Sequence, residues 1–156
     1  MSMPMTLRDF LQERAIDYEV VAHPHTSGSM ETAEAAHVSG ERIAKAVVLS
    51  DEQGYLMAVL PATHRLQLGW IHKDFNRNVG LATEAELKEL FRDCEMGAIP
   101  ACGTPYGLPM LVDDSLRQQP EVFFEAGDHE ELVHCSGSQY QKLMQGAEFG
   151  RISRHV

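Results

Sequence analysis

The residue types with chemistry to offer are a lysine inside an apolar strand pattern, a loop dense in glycine and proline, three cysteines and eight histidines. In "ERIAKAVVLS" (41–50), strand alternation puts Ile43, Lys45, Val47 and Leu49 on one face and Ala44, Ala46 and Val48 on the other. An unpaired ammonium among branched aliphatics costs several kcal/mol or lowers its pKa. An edge lysine that blocks aggregation, or one snorkelling to water, shows the same local pattern, so whatever else lines that face decides its role. The second candidate is "CEMGAIPACGTPYGLP" (94–109), with three glycines, three prolines and no helical period. Long ordered loops in compact domains are commonly functional or mobile, and free backbone N–H groups can hold an anion or a carbonyl oxygen.

Other chemistries find less support. His23, His25, His64, His72, His129, His134 and Cys135 form no HExxH, CxxC or other closed ligand spacing, so no metal is expected. Cys102 lies in the loop, but nothing in the sequence pairs it with a base. GxSxG and GxxxxGK[ST] are absent, and a Schiff-base role for Lys45 would need a cofactor site of which there is no other sign. No cofactor is expected.

The elements that must position these groups follow from periodicity. "MTLRDFLQERAI" spaces Leu7, Phe10 and Leu11 as a helix with Thr6 as cap, and "DYEVVAHP" reads as a strand closed by Pro24. "HTSGSMETAEAAHV" starts as a loop and becomes a helix ending near Gly40. The lysine strand and "YLMAVLPA", separated by "DEQG", predict an antiparallel hairpin, which takes Lys45 off a bare edge. "HRLQLGWIHKDF" puts Leu66, Trp70, Ile71 and Phe75 on one helical side; "TEAELKELFRD" opens with a capping box, Thr83 with Glu86. After the loop, "MLVDDSL", "EVFFEAG" and "EELVHCS" read as strands and "SQYQKLM" as a last helix. The expectation is an α+β fold, a single domain over 1–156 with a mixed, mostly antiparallel sheet and flanking helices.

Composition sets outer bounds. The 156 residues are 44% apolar and 23% charged, ordinary for a globular chain. No apolar run is long enough to cross a membrane, and the opening residues lack a secretory pattern. With an odd number of cysteines, a reduced, cytoplasmic protein is the simplest expectation. Thirteen Lys and Arg against 23 Asp and Glu leave a net charge of −10, which argues against binding long duplexes such as DNA. The end of one strand in one pocket needs only a few local cations.

Four segments in register then resemble a known family: "IAKAVVL", "LMAVLPATHRLQL", "DCEMGAIPACGTPYGLPMLVDDSL" and "VFFEAGDHEELVHCSG". Their order is similar to that of the YbaK-like aminoacyl-tRNA deacylases, stand-alone relatives of the editing domain of bacterial prolyl-tRNA synthetases, from about Asp17 to about Leu143. The resemblance implies hydrolysis of mischarged aminoacyl-tRNA, with the aminoacyl-tRNA 3′ end as partner and an aminoacyl-tRNA synthetase as a further one. It places the family's strand lysine on Lys45 and its GxxxP loop on Gly97 to Ala101, which makes Lys45, Gly97 and Ala101 the catalytic set. Ala98, Ile99, Pro100, Gly103, Gly127 and His129 are the implied substrate-binding positions. The attacking water is assisted, on this resemblance, by a ribose hydroxyl of the substrate. Two positions depart from the pattern: Ala101 replaces the closing proline, and Gln139 stands where many relatives have aspartate. The loop change and acidic surface also fit a catalytically silent module that binds aminoacyl-tRNA or a synthetase. The charge alone fits an enzyme for small esters or amides. Turnover of charged tRNAs separates the three.

Overall fold

A computed structural model describes residues 3–26 and 28–156. In chain order the elements are α1 (Met5–Glu13), β1 (Tyr18–Ala22), α2 (Ser29–Ala35), β2 (Ala44–Asp51), β3 (Gly54–Pro61), β4 (His64–Leu66), α3 (Leu68–Phe75), β5 (Gly80–Leu81), α4 (Glu84–Leu90), β6 (Met110–Asp113), β7 (Glu121–Glu125), β8 (Glu131–Ser136), α5 (Gly137–Leu143), β9 (Glu148–Gly150) and β10 (Ser153–His155). The fold is mixed α and β, as expected.

The main sheet runs β5-β2-β3-β6-β9, and a second runs β1-β8-β7. Antiparallel pairing dominates; β3–β6 and β6–β9 are the parallel pairs among the described residues. The predicted hairpin forms from Ala44↔Pro61 to Asp51↔Gly54, with Lys45 opposite Leu60. A parallel bridge between Ile43 and Phe123 ties the start of β2 to β7, so both sheets flank the lysine.

Alternation along β2 sorts its side chains as expected. Ala44, Ala46 and Val48 join the largest core, with Leu7 and Leu11 of α1 and Phe124 of β7. On the other face Val47 and Leu49 pack with Ile71 and Ile152, whereas Ile43 packs with Phe123 and Leu132. Lys45 falls at the seam between these two smaller clusters.

The capping box of α4 is present, Thr83 and Glu86 each accepting the other's backbone N–H. Four expectations need correction. Thr6 does not cap α1; Pro4 holds that position, and its carbonyl accepts the Arg8 N–H at 3.0 Å. The second helix stops at Ala35, where His37 turns to φ 57°, and does not run on toward Gly40. Leu66 belongs to a strand and not to a helix, because His64–Leu66 pairs with Ser153–His155. "MLVDDSL" is a strand only to Asp113, whose carboxylate takes the Ser115 N–H and turns the chain into a 3-10 segment.

Asp113 also holds the C-terminal segment. Its Oδ1 accepts the N–H groups of Ile152 and Ser153, both at 3.0 Å, and all three residues are buried. Asp113→Ala should therefore lower unfolding free energy by about 2–4 kcal/mol, since two amides lose their acceptor inside the protein. Urea unfolding of the variant measures this, and a loss below about 1 kcal/mol would show that the segment finds other acceptors.

Candidate functional site

Between β2, α4 and the 94–103 loop lies a cavity of about 340 Å³, within the range of small-ligand sites. Ile43, Ala44, Lys45 and Ala46 form one wall, Leu87, Met96, Gly97 and Ile99 another, with Ser29, Glu84 and Glu125 completing it. Lys45 is half-buried, and its Nζ donates to the Ala62 carbonyl at 3.4 Å, a long contact. Among the described residues no carboxylate pairs with it. Burial pulls its pKa below the usual lysine value, and the Arg65 guanidinium adds to the effect.

The loop is pinned from behind. The Glu95 N–H reaches the Gly127 carbonyl at 2.8 Å, and the Met96 carbonyl accepts from His129 Nε2. Tyr140 Oη donates to the Ala101 carbonyl at 3.3 Å, and the Gly103 N–H contacts Met110 Sδ at 3.2 Å. Gly97 has φ +84°, a conformation that favours glycine, and it turns the chain along the cavity wall. The N–H groups of Gly97 and Ile99 donate to no acceptor among the described residues, and both residues line the cavity that holds Lys45.

The sequence-derived residues divide accordingly. Lys45, Gly97 and Ile99 line the cavity. Ala98, Pro100, Ala101 and Gly103 are buried in the loop's support, and Ala101 joins the main core. Gly127, at φ +104°, and His129, at φ 62°, form the tight β7–β8 turn behind the loop. His129 thus acts on the cavity through the Met96 carbonyl. Gln139 lies elsewhere, its Oε1 accepting the Asp17 N–H at 2.8 Å. Cations other than Lys45 are scarce at the cavity: Arg42 pairs with Glu121 and Arg77 with Asp51, both at 2.7 Å, and neither they nor Arg65 and Lys73 line it. The Cys102 thiol is buried and pushed up to about 12, so it stays protonated and is not a nucleophile.

Sequence reasoning missed Glu125. It ends β7, lines the cavity, and burial raises its pKa, with His23 partly opposing that rise. Its Oε1 lies 3.1 Å from the Thr32 hydroxyl and 4.0 Å from His23 Nε2, while Oε2 is enclosed and has no hydrogen-bond partner among the described residues. The signal available was a carboxylate closing the apolar run "VFF", but its neighbours come from distant segments.

The aminoacyl-tRNA editing domain family matches residues 23–143. The chain belongs to this family. Among solved structures, a protein provisionally described as a trans-editing enzyme for prolyl tRNA synthetase is 25% identical, with TM-score 0.83 over 96% of this chain and 95% of that one. A hypothetical protein at 22% identity superposes with TM-score 0.84 over 96% and 99% of the two chains. A protein of Marinobacter aquaeolei VT8, provisionally assigned to signal transduction, shares 18% identity and TM-score 0.81 over 97% of this chain but 31% of its own. The last two establish shared fold. No curated protein matches.

Glu125 carries a stability signature with a definite sign. Its folded pKa is raised, so the folded state keeps the proton to higher pH than the unfolded chain. Stability is then lost as pH rises from the ordinary carboxylate value through the folded one. Glu125→Gln, always neutral, should gain stability relative to wild type between about pH 4 and about pH 8. Thermal unfolding of both proteins at the two pH values measures the difference; a gap that narrows with rising pH would contradict it.

Proposed function

We propose that this protein is a trans-editing deacylase, hydrolysing the ester of mischarged aminoacyl-tRNA. The observation that carries the reading is the juxtaposition, on one cavity, of a desolvated lysine and two unengaged main-chain N–H groups. Family membership and the 25%-identical relative's description support it. On this reading residues 1–156 form one editing unit, active on the 3′ end of aminoacyl-tRNA in the cytoplasm, with a synthetase as a further partner.

An aminoacyl ester is already activated, so the protein need only orient it and stabilise the tetrahedral oxyanion. Lys45 Nζ holds a phosphate or carbonyl oxygen of the substrate end. The Gly97 and Ile99 N–H groups receive the oxygen that becomes negative as water adds to the carbonyl carbon. The carbon–oxygen bond to the ribose then breaks, the ribose oxygen takes one of the water's protons, the other passes to solvent, and the amino acid leaves as a free carboxylate. A neighbouring ribose hydroxyl helps orient the water, which matches loop thiols, Cys94 and Cys102, that burial keeps protonated. The apolar wall of Ile43, Leu87, Met96 and Ile99 limits side-chain size, though volume alone discriminates by only ~1–3 kcal/mol per methylene.

A panel of charged tRNAs, assayed for single-turnover release, tests the reading. Wild type should deacylate at least one member, and Lys45→Ala should lose roughly 10²- to 10³-fold in rate, as removal of one oxyanion-type contact does. Thermal stability should hold or rise, since a desolvated ammonium is gone. Lys45→Met keeps the stem and should be equally inactive. Binding of charged tRNA without turnover would favour a silent module, and turnover of small esters alone would favour a small-molecule hydrolase.

A further inference from the structure

The charge lining the cavity is unbalanced toward acid: Glu84 and Glu125 face one Lys45. Glu84 is exposed in the first turn of α4, where water satisfies it. Glu125 is not so served. The Thr32 hydroxyl lies 3.0 Å from the Gly28 carbonyl and 3.1 Å from Glu125 Oε1, and 2.6 Å from the Thr26 hydroxyl, which can itself donate to Thr32. His23 Nδ1 sits 2.7 Å from the Pro24 carbonyl, which can only accept, so Nδ1 carries the hydrogen of that bond. Its other nitrogen, Nε2, lies 4.0 Å from Glu125 Oε1, and among the described residues Glu125 Oε2 has no hydrogen-bond partner. A buried carboxylate oxygen left unpaired costs free energy until a donor arrives.

The group that fits is small, positive and rich in N–H. An aminoacyl ester carries one such group, its α-ammonium, with three donors and a charge that a buried carboxylate needs. We propose that Glu125 receives the α-ammonium of the aminoacyl ester and so selects substrates with a free amino group; this rests on the deacylase reading. Lys45 takes oxygen of the substrate end and Glu125 takes nitrogen, which fixes the direction of the ester across the cavity. The ester carbonyl is thereby presented to the Gly97 and Ile99 donors. Esters whose amine is acylated, as in a peptidyl or N-formylated adduct, lose the cation and leave Glu125 buried without a partner. The site would thus spare them. Burial raises the carboxyl's pKa, and an incoming ammonium draws it back toward the ionised form.

The test uses glycyl-, alanyl- and seryl-amide analogues of 3′-amino-3′-deoxyadenosine, which resist hydrolysis, each with a free and with an N-acetylated amine. Calorimetry with wild type should show a preference for the free amine of at least about tenfold for the analogue bound best, as expected for a charge-assisted contact. Glu125→Gln should abolish that preference while leaving affinity for the acetylated form unchanged. A preference that survives in Glu125→Gln would overturn the assignment, because the amine would be read elsewhere. Equal weakening of both forms would overturn it too, by giving Glu125 a merely structural role. If wild type binds none of the analogues, the deacylase reading itself fails and this inference with it.

Discussion

A half-buried lysine ammonium fixed on a cavity wall by the register of two strands is the constraint around which the molecule is arranged. Lys45 is fixed opposite Leu60 by the β2–β3 register, and the Ile43–Phe123 bridge brings the second sheet against the same end of β2. Its main internal partner is a carbonyl at 3.4 Å. A cation so placed costs stability, and its neighbour Arg65 raises that cost. Register leaves the lysine no freedom to change face, since a one-residue slip would turn the whole apolar set outward. The fold therefore maintains an exposed demand for negative charge or carbonyl oxygen on one cavity wall.

The loop answers that wall with backbone. Glycine at 97 supplies the turn, and anchoring bonds to Gly127, His129 and Tyr140 hold the chain from behind. Donors fixed in this way need little reorganisation when charge develops nearby. His129 and Ala101 contribute through support and not by facing the cavity, which explains how a chain with alanine in place of the loop's closing proline can keep its shape. Tyr140 on the Ala101 carbonyl and the surrounding core restrain that position instead.

Features set by neighbours in sequence were legible in it. The hairpin, the Thr83–Glu86 capping box and the lysine's face all depend on a few adjacent residues. Features set by distant pairing were not. His64–Leu66 has helical spacing, but pairing with the C-terminal segment makes it a strand. Pro4 replaced Thr6 as the start of α1 because its carbonyl is already oriented to accept the Arg8 N–H. Glu125 was invisible for the same reason: His23, Thr32 and Asp128 reach it from three separate stretches, and only the assembled fold shows that it is buried on the cavity wall with Oε2 unpartnered among the described residues. The proposed oxygen-binding and nitrogen-binding sides of the cavity rest on the assembled fold, not on any motif.

The most direct test is the titration of Lys45 itself, followed by NMR at its side-chain carbon and nitrogen, in the free protein and with an uncleavable aminoacyl-amide analogue of the tRNA acceptor end. In the free protein its pKa should lie below the ordinary lysine value, and binding should raise it as the ammonium gains a phosphate or carbonyl oxygen. An ordinary value in the free protein, or one that does not move on saturation, would contradict the placement of the substrate on Lys45.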